Sequence, residues 1–206
     1  MTNICSTCGS YHADRSIDPA GPWAICPECG AREAFEMRPL FLVGGPSGGG
    51  KSAVARELLR RELPVVALDS DIIWDERFNT PENNYRPFTE TWLRLAKNIG
   101  QSGRPCVIFG GGFAVPENVE PCVERRYFSN VHYLALVATD DVLTERLRTR
   151  PAFRKSSRPE LIAEHLRFAR WLRESGASLG IELVDTSTAT PEETAGRVAE
   201  WIQSPG

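Results

Sequence analysis

Residues 45–53, Gly45-Pro46-Ser47-Gly48-Gly49-Gly50-Lys51-Ser52-Ala53, match the spacing G-x-x-x-x-G-K-[ST] without a gap. That spacing is a P-loop. Phosphates need several backbone N–H groups aimed at one point, and glycines let the chain approach in the dihedrals this requires. Lys51 would place a charge over the β- and γ-phosphates. Ser52 would ligate Mg2+ at the start of a helix whose dipole also favours anions. Two carboxylates follow in Asp69-Ser70-Asp71. Beside a P-loop, one such group orders the Mg2+ shell and the other accepts a proton from, or orients, an attacking hydroxyl. Capping the next helix is the competing use of either.

A second chemistry lies in the N-terminal segment. Cys5 and Cys8 form one C-x-x-C pair and Cys26 and Cys29 another, 17 residues apart, each followed at once by a glycine. Four thiolates in two such knuckles complete a tetrahedral Zn2+ shell, so the metal reads as structural and His12 as a surface residue. The segment 1–36 resembles a zinc ribbon, otherwise irregular and too small to fold on its own core. Zinc would supply most of its folding free energy, on the order of 10 kcal/mol. Such a ribbon either binds nucleic acid or protein, or serves as an inert docking piece. Cys106 and Cys122 read as buried apolar residues.

Five short apolar runs, at 40–43, 65–68, 106–109, 131–137 and 181–184, read as buried strands of a parallel sheet. Helical spacing predicts helices over 51–62, 88–101, 141–149, 158–174 and 190–201. Thr139 and Asp140 read as the cap of the third of these, and Thr190-Pro191-Glu192-Glu193 opens the last as a capping box with proline at the first helical position. Trp92, Leu95, Ala96 and Ile99 share one helical face and read as core. In an open α/β sheet, ligands bind beyond the carboxyl ends of the strands. The P-loop, Asp69 and Asp71, Gly110-Gly111-Gly112 and Asp185-Thr186-Ser187 all follow strands. Residues 72–87 carry Trp74, Arg77, Phe78, Tyr85 and Arg86 with little periodicity. They read either as an acceptor-binding flap or as a surface helix hairpin with its rings in the core. Arg146, Arg148, Arg150, Arg154, Lys155 and Arg158 concentrate around 149–158, as in a lid that closes over phosphates.

At 206 residues the chain has room for one domain of about 150 residues plus a small appendage. A net charge of -3 and a pI near 5.7 weigh against a large nucleic-acid surface. Nucleic acid therefore stays an open but unfavoured partner of the ribbon. No run reaches the length of a membrane span, and the first residues lack a signal peptide's basic start and apolar core, so a soluble, cytoplasmic protein is expected. The sequence is silent on oligomeric state.

The order of elements over residues 37–206 is similar to the compact P-loop kinases of small molecules: the shikimate, gluconate, adenylylsulfate and nucleoside kinases. The resemblance implies a five-stranded parallel sheet with helices on both faces. It implies that residues 45–53 hold the ATP phosphates, that Ser52 and Asp69 lie near Mg2+, and that Asp71 meets the acceptor hydroxyl. It also implies a lid arginine, Arg154, on the transferred group, and Gly110, Gly111 and Gly112 beside the acceptor. Arg146 or Arg150 would flank the adenine with Asp185, Thr186 and Ser187. Residues 79–86 carry nothing like the arginine-bearing segment of a shikimate kinase, and Trp74 stands where an adenylylsulfate kinase would place an arginine. The expected activity is ATP-dependent phosphoryl transfer to a hydroxyl of a small polar molecule. A nucleoside-like acceptor is favoured by the aromatics near Asp71, namely Trp74 and Phe78, with arginines, Arg77 and Arg86, or the segment's asparagines supplying direction. A 5'-hydroxyl polynucleotide kinase and a nucleotide-controlled binding module are the rival readings.

Overall fold

The computed structural model describes residues 3–151 and 157–204. Three short strands, β1 Ser16–Asp18, β2 Trp23–Ile25 and β3 Arg32–Ala34, form an antiparallel sheet in order. The expectation of an irregular N-terminal segment is corrected here. Strands of this length carry too little alternation to be read from sequence, and the pairing of Ile17 with Ala24 and of Ala24 with Glu33 is what defines them.

The remaining strands, β4 Leu40–Gly44, β5 Val66–Asp69, β6 Cys106–Phe109, β7 Val131–Val137 and β8 Ile181–Asp185, form one parallel sheet in the order β5-β6-β4-β7-β8. Central strands buried on both faces must be apolar throughout, which is why they read as unbroken apolar runs. Successive residues serve opposite faces. Leu40 and Leu42 face a core completed by α2 Arg86–Gly100 and α5 Pro159–Ser175, while Phe41 and Val43 face one completed by α1 Lys51–Leu58 and α6 Pro191–Gln203. Helices thus cover both faces of the sheet. A four-residue helix, α3 Pro116–Val119, and α4 Asp140–Arg148 complete the chain.

Several local expectations shift. α1 stops at Leu58, short of residue 62, and Leu59 turns outward at 66% exposure. In α2 the inward positions are Trp92, Leu93, Ala96 and Lys97, whereas Leu95 is 40% exposed. The helical stripe is rotated by one position because Lys97 has a buried acid to reach. Thr139 occupies the N-cap of α4 without a side-chain bond, and Asp140 instead receives Arg170 and Arg173 of α5 at 2.7 Å each. The Thr190–Glu193 capping box is present as read.

The N-terminal sheet sits on α2 and on the turn Val123–Tyr127. Tyr127 donates its hydroxyl to the Ala13 carbonyl at 2.7 Å and packs edge-on to Phe35. Lys97, 2% exposed, donates to Asn3 Oδ1 at 2.5 Å and to the fully buried Glu124 at 2.7 Å. Among the described residues no helix is long and apolar enough to cross a membrane.

Candidate active site

The carboxyl ends of four parallel strands converge on one edge of the sheet. β4 runs into the P-loop, whose Gly45 has φ 125° and whose Cβ, if present, would lie 2.3 Å from the Leu136 carbonyl of β7. No larger residue fits there. Gly50 caps α1 at φ 95°, a conformation that L side chains rarely adopt, and the first turn of α1 carries no acidic residue. Its unpaired N–H groups and its dipole favour an anion. The Lys51 ammonium folds back onto the Gly45 and Pro46 carbonyls at 2.8 and 2.9 Å. Burial pushes its pKa down to about 8, against the pull of the Asp71 and Asp69 carboxylates.

β5 delivers Asp69, whose Oδ1 accepts the Asp71 amide at 3.0 Å and caps the 3-10 turn Ser70–Ile73. The capping use considered for this pair is therefore present in Asp69, while Asp71 stands exposed. After β6, the Gly110 amide bonds Val43 and the Gly111 carbonyl accepts the Gly45 amide at 3.2 Å, tying this segment to the P-loop entrance. After β8, Asp185 accepts the Ser187 amide and hydroxyl, and Ser187 in turn accepts the Thr139 amide at 2.9 Å.

Two cavities open on this edge. One, of about 500 Å³, is lined by Ser47, Gly48, Gly50, Lys51, Ser52 and Ala53 of the P-loop, by Arg146 and Arg150, and by Leu161 and His165 of α5. The other, of about 260 Å³, is lined by Ser70, Trp74, Asn79, Asn84, Tyr85 and Phe88, with Thr89, Phe113 and Asn118. Asp71 and Gly111 line both, so the cavities meet there. A smaller hollow of about 190 Å³ between the P-loop, Arg146, Thr186 and α6 continues the first cavity on its far side. Arg146 spans that junction, donating to the Gly48 carbonyl at 3.2 Å and to the Thr186 hydroxyl and carbonyl at 3.0 and 2.7 Å.

Sequence reasoning brought Lys51, Ser52, Asp71, Trp74, Arg146, Arg150, Gly111 and Gly112 to these cavities. Other named residues lie elsewhere. Arg77 turns to Asp75 at 2.7 Å, Arg86 donates to the Pro121 carbonyl at 2.9 Å, and Phe78 packs on Phe88. A Cβ on Gly110 would meet the Phe113 ring and Ser70 Oγ at 2.4 Å, so its smallness serves packing. Arg154 falls outside the described residues. Asn79 and Asn84 were read only collectively, among flap asparagines that would direct an acceptor, and Asn118 and His165 were missed. The first two lie in the segment read as a flap, which forms the three 3-10 turns Ser70–Ile73, Glu76–Phe78 and Pro81–Asn83 rather than a helix hairpin.

The two glycines after β6 separate by experiment. Gly110→Ala is expected to lower the melting temperature. Gly111→Ala, whose Cβ meets no atom within 4 Å, is expected to leave it unchanged but to crowd the meeting point of the cavities. A misplacement of about 1 Å there costs turnover about 10²-fold. Calorimetric melting and steady-state kinetics on both variants check this.

At the far end of the chain the four cysteine sulfurs lie within 4.8 Å of one another. Cys5 and Cys29 are 3.7 Å apart and Cys8 and Cys26 3.8 Å. Bonds of about 2.3 Å to a tetrahedral ion require sulfur separations of roughly 3.8 Å. The two knuckles are equivalent: Gly9 and Gly30 have φ 75° and 71°, and each donates its amide to the first cysteine carbonyl of its pair at 2.9 Å. The donor set fits Zn2+.

The parallel sheet and its loop define a P-loop α/β domain of the small-kinase fold. A family model described as an AAA domain matches residues 40–175, well over half of the chain, and the chain belongs to that family. No curated protein matches it by sequence. Among solved structures, a sugar kinase from Janibacter sp. HTCC2649 superposes with a TM-score of 0.59 at 18% identity, over 82% of this chain and 96% of its own. The tunicamycin resistance protein of Deinococcus radiodurans gives 0.58 at 18%, over 80% and 95%. The shikimate kinase of Acinetobacter baumannii, in complex with shikimate, gives 0.54 at 19%, over 82% and 96%. At these identities the likeness is one of fold.

Proposed function

We propose that this protein is an ATP- and Mg2+-dependent kinase that transfers the γ-phosphoryl group to a hydroxyl of a small polar, nucleoside-like acceptor. The observation that carries this reading is the meeting of the P-loop cavity with the ring-lined cavity at Asp71 and Gly111. A phosphate chain in the first and a hydroxyl in the second would face each other across one carboxylate. In this reading Asp71 orients the hydroxyl or takes its proton as the new O–P bond forms and the bond from the γ-phosphorus to the bridging oxygen breaks. Lys51, Arg150 and, as a further proposal, Arg154 offset the charge of the transferring group. Arg146 holds the P-loop against the 185–187 turn, where the adenine would lie. Ser52 and Asp69 would hold Mg2+, which when bound would supply positive charge against the phosphates. We assign Zn2+ to Cys5, Cys8, Cys26 and Cys29 as a structural ion.

The test is incubation with Mg2+-ATP and a panel of nucleosides, sugars, aminoglycosides and a 5'-hydroxyl oligonucleotide, read by mass spectrometry for the gain of one phosphoryl group. Bound ATP with no acceptor modified would overturn the kinase reading in favour of a binding module.

Lys51 supplies a second test. Its pKa near 8 in the free protein means that the ammonium is mostly neutral above that pH, and phosphates restore it. ATP binding is therefore expected to take up a proton above pH 8, weakening by up to about tenfold per pH unit. The same depressed value makes the free fold gain stability as pH rises from 8 toward the unfolded value of 10.5, because the unfolded chain then holds more protons. Titration calorimetry in buffers of different ionisation enthalpy measures the uptake.

A further inference from the structure

The cavity beside Asp71 has walls of two kinds. Trp74, Tyr85, Phe88 and Phe113 present rings, and Asn79, Asn84 and Asn118 present carboxamides, of which Asn79 and Asn118 each give one N–H to the protein, to Glu76 Oε1 at 2.7 Å and to the Gly112 carbonyl at 3.0 Å, and keep the other N–H and the oxygen. Asp71 is the one charged side chain among its described lining residues. The arginines of the same segment are directed away, Arg77 to Asp75 and Arg86 to the Pro121 carbonyl. Trp74 and Tyr85 stay 45% and 41% exposed with ring centroids 6.2 Å apart, although large rings are normally buried.

The backbone supplies an independent observation. Asn84 and Tyr85 adopt φ 56° and 55° in succession, and they are the two non-glycine residues with positive φ among the described residues. Asparagine visits this region readily, whereas a bulky aromatic there is an outlier. The conformation is held by the Tyr85 amide on the Thr80 carbonyl at 3.1 Å and by the Phe88 and Thr89 amides on the Tyr85 carbonyl at 3.0 and 3.1 Å. Strain of this kind concentrates where side chains must be presented to a ligand. Here it puts a carboxamide and a phenol side by side in the cavity wall as α2 begins.

We propose that this cavity selects an uncharged acceptor with a flat ring face, of the nucleoside type, and rejects acceptors bearing a carboxylate or phosphate. The proposal rests on the kinase reading in taking this cavity as the acceptor site. Rings stack on the flat face, and carboxamides donate to and accept from the ring's edge, as neutral heterocycles require. An anionic acceptor group would stand between the Asp71 carboxylate and the phosphates of ATP, and at about 4 Å such repulsion costs about tenfold or more in affinity. At a volume of about 260 Å³, the cavity suits one ring and its sugar rather than a polymer.

The experiment uses the full chain and pairs of probes that differ by a negative charge: uridine against orotidine, which adds a ring carboxylate, and inosine against xanthosine, whose ring is anionic at neutral pH. Saturation-transfer NMR reads binding without turnover, and phosphoryl transfer is read separately. A neutral nucleoside binding at least about tenfold tighter than its charged partner supports the proposal, even if no transfer occurs, in which case only the kinase reading fails. Preference for orotidine or xanthosine, or binding of none of the four, overturns it. Asn79→Arg is expected to raise orotidine affinity about tenfold, and Trp74→Ala, at an exposed position that leaves folding intact, to lower nucleoside affinity about tenfold or more. No response to either substitution would also overturn it.

Discussion

Asp71→Asn is expected to lower kcat by about 10²- to 10⁴-fold, the span of general acid–base contributions, while ATP affinity changes by no more than a few-fold. The split follows from geometry. Asp71 lines both cavities, whereas the groups expected on the phosphates, Lys51, Ser52 and the amides of the P-loop, are unchanged by the substitution. The asparagine is isosteric, and the Asp71 amide keeps its bond to Asp69 Oδ1. Loss of the carboxylate removes the strongest charge that favours the Lys51 ammonium, and loss of a negative charge beside the phosphates acts in the opposite direction on ATP. These effects offset each other in binding and leave the reacting hydroxyl without its partner. Asp69→Asn should behave differently. That carboxylate accepts the amide that shapes the Ser70–Ile73 turn, so its loss is expected to raise the Mg2+ requirement and to loosen Asp71 together. Single-turnover kinetics with ATP titrations distinguish the two. Full activity in Asp71→Asn would remove it from the reaction.

What was legible in the chain is what short-range chemistry dictates. The P-loop is contiguous, so its residues announce the cavity. The three central strands, β6, β4 and β7, announce themselves as unbroken apolar runs, the half-buried edge strands β5 and β8 as shorter ones, and with a P-loop on the first of the five the parallel order follows. Gly111 was legible as a glycine after a strand, but its difference from Gly110 was not, because that difference lies in what surrounds each missing Cβ. Asn118 and His165 come from elements distant in sequence, and nothing local marks them as cavity walls. Tyr85 was legible as a ring of the flap, but the left-handed turn it forms with Asn84 was not, although Asn-Asn before an aromatic and Arg-Pro suits such a turn ahead of a helix. Leu95 and Lys97 exchanged their expected places because a lysine with a buried carboxylate partner behaves as core. Periodicity cannot foresee such a partner when it lies 27 residues away.

Removing the metal from the cysteine cluster is the change expected to disturb the largest part of the molecule. The N-terminal sheet buries little of its own: Ala24 and Phe35, with Ile17 and Met37 alongside, pack with Tyr127 from the body of the protein. Against this small core, Zn2+ in the proposed four-thiolate site would contribute about 10–16 kcal/mol of apparent binding free energy that is also folding free energy. Arg15 is fully buried with its guanidinium paired to Glu33, and Glu33 also accepts the Ser6 amide at 2.6 Å, so the segment's own polar network collapses with the knuckles. Chelation, or Cys26→Ser, is therefore expected to abolish amide-exchange protection throughout residues 3–36. The parallel sheet should persist. Glu124 keeps Lys97 at 2.7 Å and Arg94 at 2.8 Å after Asn3 departs, so no buried charge is left alone, and the P-loop lies on the opposite edge from this contact. ATP binding should survive, while protection falls locally at Val123–Tyr127, where the Ala13 carbonyl and the Phe35 ring are lost. Hydrogen exchange with metal content measured in parallel tests this: an N-terminal segment still protected in metal-free protein would show that its fold rests on the contact with α2 and Tyr127 instead.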